Sequence, residues 1–276
     1  MKEWIRELSK KRKKVHSQSG QDGILEEIFR QISPTSKFCV EFGFNTDTLS
    51  GGSGPNVANL VMNHGWECLL IDGGHENLEI NLHKHHITPD NICNLFEQYN
   101  VPNVPGFVSI DVDSTDLWLF KAVVQKYRAD VFTVEFNSNY PNNETITVIP
   151  TPYGPWEADM CYGASLGALD LVARENGYSL VHVEGVLDAF FIRDDLIYDG
   201  SDQICHDISI WKQYPMRNHI PLKTKWGDDQ DKINEKLDQL LDYSVYTVAD
   251  AHSIPEDEKI TKAIQAARPI CEKYIL

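Results

Sequence analysis

The sequence predicts an α/β protein built on a mostly parallel, buried central sheet. Three observations lead there. Short, nearly continuous apolar runs alternate with helical stretches over residues 38–137, the pattern of strands covered on both faces. The run Phe38-Cys39-Val40-Glu41-Phe42-Gly43 passes into a glycine-rich loop, Gly51-Gly52-Ser53-Gly54-Pro55-Asn56, and then into a helix. Two later runs, 179–183 and 189–193, are separated only by Glu184 to Asp188, so they pair as an antiparallel hairpin.

Taken in order, residues 1–14 suggest a short helix with Trp4, Ile5 and Leu8 on one side. A polar stretch, Ser17 to Asp22, enters a second helix whose stripe is Ile24, Leu25, Ile28 and Phe29. Ser33-Pro34 ends it. The first strand is 38–43. Pro55 suits the first turn of the next helix, where Val57, Leu60, Val61 and His64 share a face and Gly65 is the stop. The second strand is 68–72, followed by Gly73-Gly74. A helix is expected over 76–84 and a third strand over 91–95. The fourth strand is 107–113 and the fifth 131–137, with a helix between them capped by Ser114 or Thr115.

Residues 138–162 break this rhythm. Pro141, Pro150, Pro152 and Pro155 forbid a long helix, and Tyr140, Tyr153 and Trp156 lie among them. A long loop inside a compact domain usually serves function. A helix over 164–175 follows, then the hairpin. Beyond it, Ile233, Leu237, Leu240 and Leu241 predict one amphipathic helix, and residues 256–267 a second. The expected organisation is an N-terminal helical segment (1–36), a core (37–196) and a mostly helical C-terminal extension (197–276).

Composition narrows the function. The chain has 276 residues, 25 Lys+Arg and 41 Asp+Glu, for a net charge of −16. That balance argues against the nucleic-acid backbone as the main partner. No apolar run approaches the length of a membrane span, and the first residues lack a signal peptide's apolar core. The six cysteines form no zinc pattern, and Cys39 and Cys68 fall inside apolar runs, as buried thiols do. A reducing, cytoplasmic setting is the expectation. Lys10-Lys11-Arg12-Lys13-Lys14 reads first as a solvated arm, with an anionic partner or a nuclear signal as sharper readings.

Polar groups end four strands: Glu41 with Gly43, Asp72, Asp111 with Asp113, and Glu135 with Asn137. In a parallel sheet these ends share one edge, where ligands bind. Asp72 stands where an acid grips ribose hydroxyls in dinucleotide folds, or else is a turn residue. Asp111, Asp113, Glu135 and Asn137 are hard oxygen donors suited to Mg²⁺ or Mn²⁺. Helix capping and a hydrogen-bond network are the plainer reading of the same residues.

The chain resembles the class I S-adenosylmethionine-dependent methyltransferases, and more narrowly their FkbM-like branch. The residues that carry the resemblance run from Ser17-Gln18-Ser19-Gly20-Gln21-Asp22-Gly23 through Val40-Glu41-Phe42-Gly43, Gly65-Trp66 and Ile71-Asp72. They continue through Ser109-Ile110-Asp111-Val112-Asp113, Val134-Glu135-Phe136-Asn137, Tyr162 to Leu169, and Asp188 to Leu196. The match covers about residues 17–196. The resemblance implies a Rossmann-like methyltransferase sheet, order 3-2-1-4-5-7-6 with the last strand antiparallel. It implies that Glu41 and Gly43 lie under the methionine part of the cofactor and that Asp72 takes the ribose hydroxyls, with Asn45 and Gly73 also at the cofactor. From their position before the second helix, Gln18, Gln21 and Asp22 would close over it. Phe44-Asn45-Thr46 stands where the common pattern has a second close glycine.

The implied activity is methyl transfer to an oxygen of a sugar, glycan or other small hydroxylated acceptor, with a divalent ion as helper. Asp111, Asp113 and His182 are candidate bases by location. A glycosyltransferase using Asp111-Val112-Asp113 as its metal site is the alternative, and a non-catalytic cofactor-binding protein is a third reading.

Overall fold

The computed structural model describes residues 2–150, 154–199, 206–213, 219–249 and 254–276. Pro152, Tyr153 and Cys205 lie outside the described residues. The chain opens with one helical turn, α1 (Glu3–Arg6), and a 3-10 turn at Leu8–Lys11. Ile5 and Leu8 are buried, so this arm packs onto the body. Four of the five residues of the basic cluster Lys10–Lys14 pair with the protein's own acids or carbonyls. Lys10 pairs with Glu7, Arg12 with Glu184 and Lys13 with Glu26, while Lys14 Nζ donates to the Gln18 carbonyl. α2 (Gln21–Ile32) buries Ile24, Leu25 and Ile28 and stops at Ser33.

The strands, in chain order, are β1 (Phe38–Phe42), β2 (Glu67–Asp72), β3 (Leu82–Lys84), β4 (Phe107–Ile110), β5 (Val131–Glu135), β6 (Ile146–Val148), β7 (Tyr178–Glu184), β8 (Asp188–Arg193) and β9 (Leu240–Asp242). Seven of them form one sheet, ordered β3-β2-β1-β4-β5-β8-β7. Counted within that sheet alone, this is the expected 3-2-1-4-5-7-6. β3, β2, β1, β4 and β5 pair in parallel, and β8 is antiparallel to both β5 and β7. The fold is therefore α/β and Rossmann-like, with a mostly parallel sheet.

Alternation along β1 divides the core. Val40 and Phe42 face a cluster built with α4 (Ile92–Gln98), α5 (Asp116–Val124) and α6 (Leu166–Glu175). Cys39 faces the opposite cluster, built with α2 and with Val57 and Leu60 at the start of α3 (Ala58–His64). Gly65 ends α3 in the left-handed conformation, as the sequence predicts. The short helix α7 (Asp194–Ile197) follows β8.

The C-terminal part is less purely helical than expected. α8 (Leu222–Trp226) and α9 (Gln230–Asp238) lead into β9, then α10 (Tyr243–Val248) and α11 (Glu256–Ile275). Leu240 and Leu241 are in strand, not helix, because β9 pairs antiparallel with β6 from the 138–162 segment. A third apolar cluster joins Ile146 and Val148 to Leu237, Leu240, Ala267 and Cys271. Among the described residues no helix is long and apolar enough to cross a membrane.

Two other expectations fail. Residues 92–95, expected in strand, open a helix: Ile92, Leu95 and Phe96 are buried at i, i+3 and i+4 spacing. The third strand is instead Leu82–Lys84, inside the stretch expected to be a helix. That stretch is broken by Asn81, at φ +58°, and holds only a 3-10 turn at Leu78–Ile80. β4 and β5 also stop early, at Ile110 and Glu135, so strand alternation does not place Asp113 or Asn137.

Candidate functional site

The site begins where β1 ends. Glu41 lies on the α2/α3 side of the sheet, two residues from Cys39, and is 7 % exposed. Its two carboxylate oxygens accept the backbone N–H groups of Asn56 and Val57, each at 3.0 Å. These are N–H groups just ahead of α3, which have no helical acceptor of their own, so Glu41 fixes the start of that helix. Gly43 follows with φ +84°, and a Cβ there would meet the Asp111 carbonyl. Only glycine fits that crossing.

A polar network then runs through the sheet beneath the loop. Asn56 Nδ2 donates to Ser109 Oγ on β4 (3.1 Å) and to Asp188 Oδ2 at the start of β8 (3.3 Å). Thr133 Oγ1 on β5 donates to the same Ser109 Oγ, and Gln21 Nε2 on α2 donates to Asp188 Oδ2 at 2.8 Å. Because β8 runs against its neighbours, its first residue arrives at the edge where the parallel strands end. Asp188 is paired in register with Glu135, the last residue of β5.

A narrow cavity of about 20 Å³ lies above this network. Glu41, Gly43, Phe44 and Asn45 line it from β1 and its loop, and Ser53, Gly54, Pro55 and Asn56 from the approach to α3. Gln18 and Gln21 close one side, Asp111 and Asp188 another. The covering loop is firmly held. Asp22 Oδ2 accepts the N–H groups of Val15, His16 and Ser17, and the Ser17 hydroxyl. Gly54 packs against that loop: a Cβ on it would lie 2.6 Å from Gln18 N.

Asp111 also belongs to a second group. One carboxylate oxygen from each of Asp111, Asp116 and Glu135 lies within 4.8 Å of the others. Asp116 is fully buried at the start of α5, accepting the N–H groups of Val112 (2.7 Å) and Ser114 (3.0 Å). Glu135 Oε2 is buried with no hydrogen-bond partner among the described residues. Burial, and then the charges of Asp116, Asp113, Asp188 and Glu41, push the Asp111 carboxyl well above the ordinary range. Burial and the neighbouring acids do the same to Glu135, and burial raises Asp116 to about 6 and Glu41 to about 7. Tyr162, 3 % exposed, is raised by burial and then by Glu135 and the three aspartates. Its hydroxyl bonds His219 Nε2 at 3.1 Å, and Trp156 stands edge-on to the His219 ring.

Of the residues predicted from sequence, Glu41, Gly43, Asn45, Gln18, Gln21 and Asp111 meet at the cavity. Asp72 and Gly73 do not line it. Asp72 stands beside Gly43 across β1 and β2, and its Oδ1 accepts the N–H groups of Gly74 and His75. Asp47, from the loop after β1, bonds His75 and lies over that turn. Asp113 is exposed at φ +56° and outside the carboxylate trio. Asn137 is fully buried and its amide is occupied: Nδ2 donates to the Met160 and Tyr162 carbonyls, and Oδ1 accepts the Asn139 N–H. His182 is on β7, the outermost strand, with Nε2 at 3.2 Å from Glu184 and away from the cavity lining.

Sequence reading missed Asp116, Asn56 and Asp188 as site residues. The signal for Asp188 was present in the predicted hairpin, since an antiparallel last strand begins at the ligand edge. No protein-family model matches the chain, and a search of curated proteins finds no significant match.

Proposed function

We propose that the chain is an S-adenosylmethionine-dependent methyltransferase of the FkbM-like type, acting on an oxygen of a sugar or other small hydroxylated acceptor. The charge of the cavity carries this reading. Glu41, Asp111 and Asp188 line it, and among the described residues no lysine or arginine does. Carboxylates without a basic partner favour a positively charged ligand and repel a nucleoside diphosphate. The methyl donor carries both an ammonium and a sulfonium. The strand order supports the same reading by analogy of fold.

Bound there, the donor supplies a methyl group on a sulfonium, open to in-line attack by an acceptor oxygen. The chain's part is to hold and cover. Glu41 sets the floor through the start of α3, Gly43 brings the backbone close, and Phe44 and Gln18 shield the cavity from water. The family resemblance assigns Asp72 to the ribose, although it lies outside the cavity lining. The cavity as folded has room for about one water. Entry of a nucleoside therefore requires the cavity to widen.

A divalent ion fits the carboxylate trio, because Glu135 Oε2 is buried without a partner and the donors are hard oxygens. Asp111, Asp116 and Glu135 would hold Mg²⁺ or Mn²⁺, which lowers the pKa of a hydroxyl beside it. Asp111 touches both the cavity and the trio, so donor and acceptor sites adjoin there. Without an ion, Asp111 is the candidate base by its place in the cavity lining. The glycosyltransferase alternative has less support, since Asp113 is not among the three acids whose oxygens cluster.

Thermal shift with S-adenosylhomocysteine against UDP plus Mn²⁺ tests the reading. A ligand at 100 times its Kd adds about 2.7 kcal/mol of stability. A shift with UDP and Mn²⁺ and none with S-adenosylhomocysteine would reverse the assignment.

A further inference from the structure

We infer that Asn56 and Asp188 form the receptor for a protonated primary amine, the α-ammonium at the amino-acid end of the ligand. This deepens the methyl-donor reading and rests on it.

Two independent observations meet at this point. Asp188 is 5 % exposed, and the bonds to it come from two neutral amides, Gln21 and Asn56, both on Oδ2. No cationic side chain pairs with it among the described residues. A buried carboxylate held only by neutral donors lacks a counter-charge, which is costly unless a ligand brings one. Asn56 is 6 % exposed and its Nδ2 is spent on Ser109 and Asp188. Two acceptors on that side fix the amide's orientation. Its Oδ1 is then an acceptor, buried, with no partner among the described residues. Both residues line the cavity.

The chemistry selects among ligands. An ammonium presents three N–H donors and a full charge. It answers a carboxylate and an orphaned carbonyl oxygen together. A hydroxyl answers only one of them and leaves the charge unbalanced. A metal ion at Asp188 would meet the amide N–H groups of Gln21 and Asn56, donors aimed at the oxygen it must share. The carboxylate trio suits an ion better, because only backbone N–H groups compete there and Glu135 Oε2 is open.

The test is calorimetry of the full chain with two nucleosides. S-adenosylhomocysteine carries the ammonium, and 5′-methylthioadenosine lacks the amino-acid end. Asp188→Asn keeps the shape and removes the charge. Loss of a charge-assisted bond predicts S-adenosylhomocysteine affinity lower by about tenfold to a hundredfold, with 5′-methylthioadenosine affinity unchanged. Equal losses for both nucleosides, or no loss for S-adenosylhomocysteine, overturn the ammonium site and leave the methyl-donor reading standing. No binding of S-adenosylhomocysteine to the unaltered chain overturns both. Should Asp188→Asn melt early by circular dichroism, Asn56→Ser replaces it, deleting the amide carbonyl while keeping the backbone N–H that Glu41 holds. The same selective loss is expected.

Discussion

Gly43 and Asp111 touch through their backbones: a Cβ on residue 43 would lie 1.4 Å from the Asp111 carbonyl oxygen. The end of β1 and the loop after β4 are thus locked together at the floor of the cavity. Gly43→Ala adds both that clash and the strain of φ +84°. Gly65, at φ +66° but with nothing within 4 Å, is the control. We expect Gly65→Ala to cost about 1 kcal/mol and Gly43→Ala several times that, on the order of 3–4 kcal/mol. Equal urea midpoints for the two variants would refute the contact.

The raised carboxyls make stability depend on pH. Burial lifts Glu41 from 4.5 to about 7, so the folded chain keeps a proton that the unfolded chain releases. This contribution is full below pH 4.5 and is lost as pH rises through 7. Asp116, lifted by burial from 3.8 to about 6, acts in the same direction. His83, His206 and His219, whose pKa values burial lowers, act the other way near pH 6. Comparison with Glu41→Gln cancels them. Between pH 5.5 and 8 the unaltered chain should lose on the order of 2 kcal/mol relative to that variant. Parallel urea midpoints across this range would show that Glu41 does not titrate there.

Arg12 reaches across the chain to Glu184, whose side chain is 1 % exposed. Ser19 Oγ and Gly20 N donate to the same carboxylate, so the pair anchors the loop that covers the cavity. Although burial alone would raise it, bonds from His182 and Arg12 hold the Glu184 carboxyl at about 2. Arg12→Ala strands a buried charge. Because the arginine is about half exposed, the expected cost is about 1–2 kcal/mol. Arg12→Lys should recover only part of it, since the fork geometry is lost. Hydrogen exchange over residues 15–21 should accelerate in Arg12→Ala, and unchanged protection there would disprove the anchor.

The parallel strands were legible because burial on both faces writes them as continuous apolar runs. Leu82–Lys84 was not, since only Leu82 is buried and the strand exists by pairing with β2. β9 was hidden for the same reason: Leu240 and Leu241 take extended form because β6, far away in sequence, offers an edge. At the site, Glu41, Gly43 and Asp111 were readable as residues that end strands. Asn56 was not, because its meaning lies in a network spanning β4, β8 and α2, which no local pattern encodes. Asp113 misled through strand alternation that ends at Ile110.

The trio of Asp111, Asp116 and Glu135 yields the sharpest test of which acids bind an ion. If a divalent cation sits there, Mn²⁺ should bind at one site per chain and raise the urea midpoint more at pH 8 than at pH 5.5. The sign follows from burial, which lifts Asp116 to about 6, so the ion must displace protons at the lower pH. Glu135→Gln should weaken Mn²⁺ by tenfold or more, since it removes a carboxylate of the trio whose Oε2 is buried with no partner among the described residues. Asp113→Asn should leave Mn²⁺ affinity within about twofold, because Asp113 is exposed and outside the trio. The reverse pattern, loss with Asp113→Asn and none with Glu135→Gln, would restore the Asp111-Val112-Asp113 metal site and with it the case for a nucleotide-sugar enzyme. Mn²⁺ titration followed by electron paramagnetic resonance separates the two outcomes directly, because free and bound Mn²⁺ differ in signal whether or not an acceptor is known.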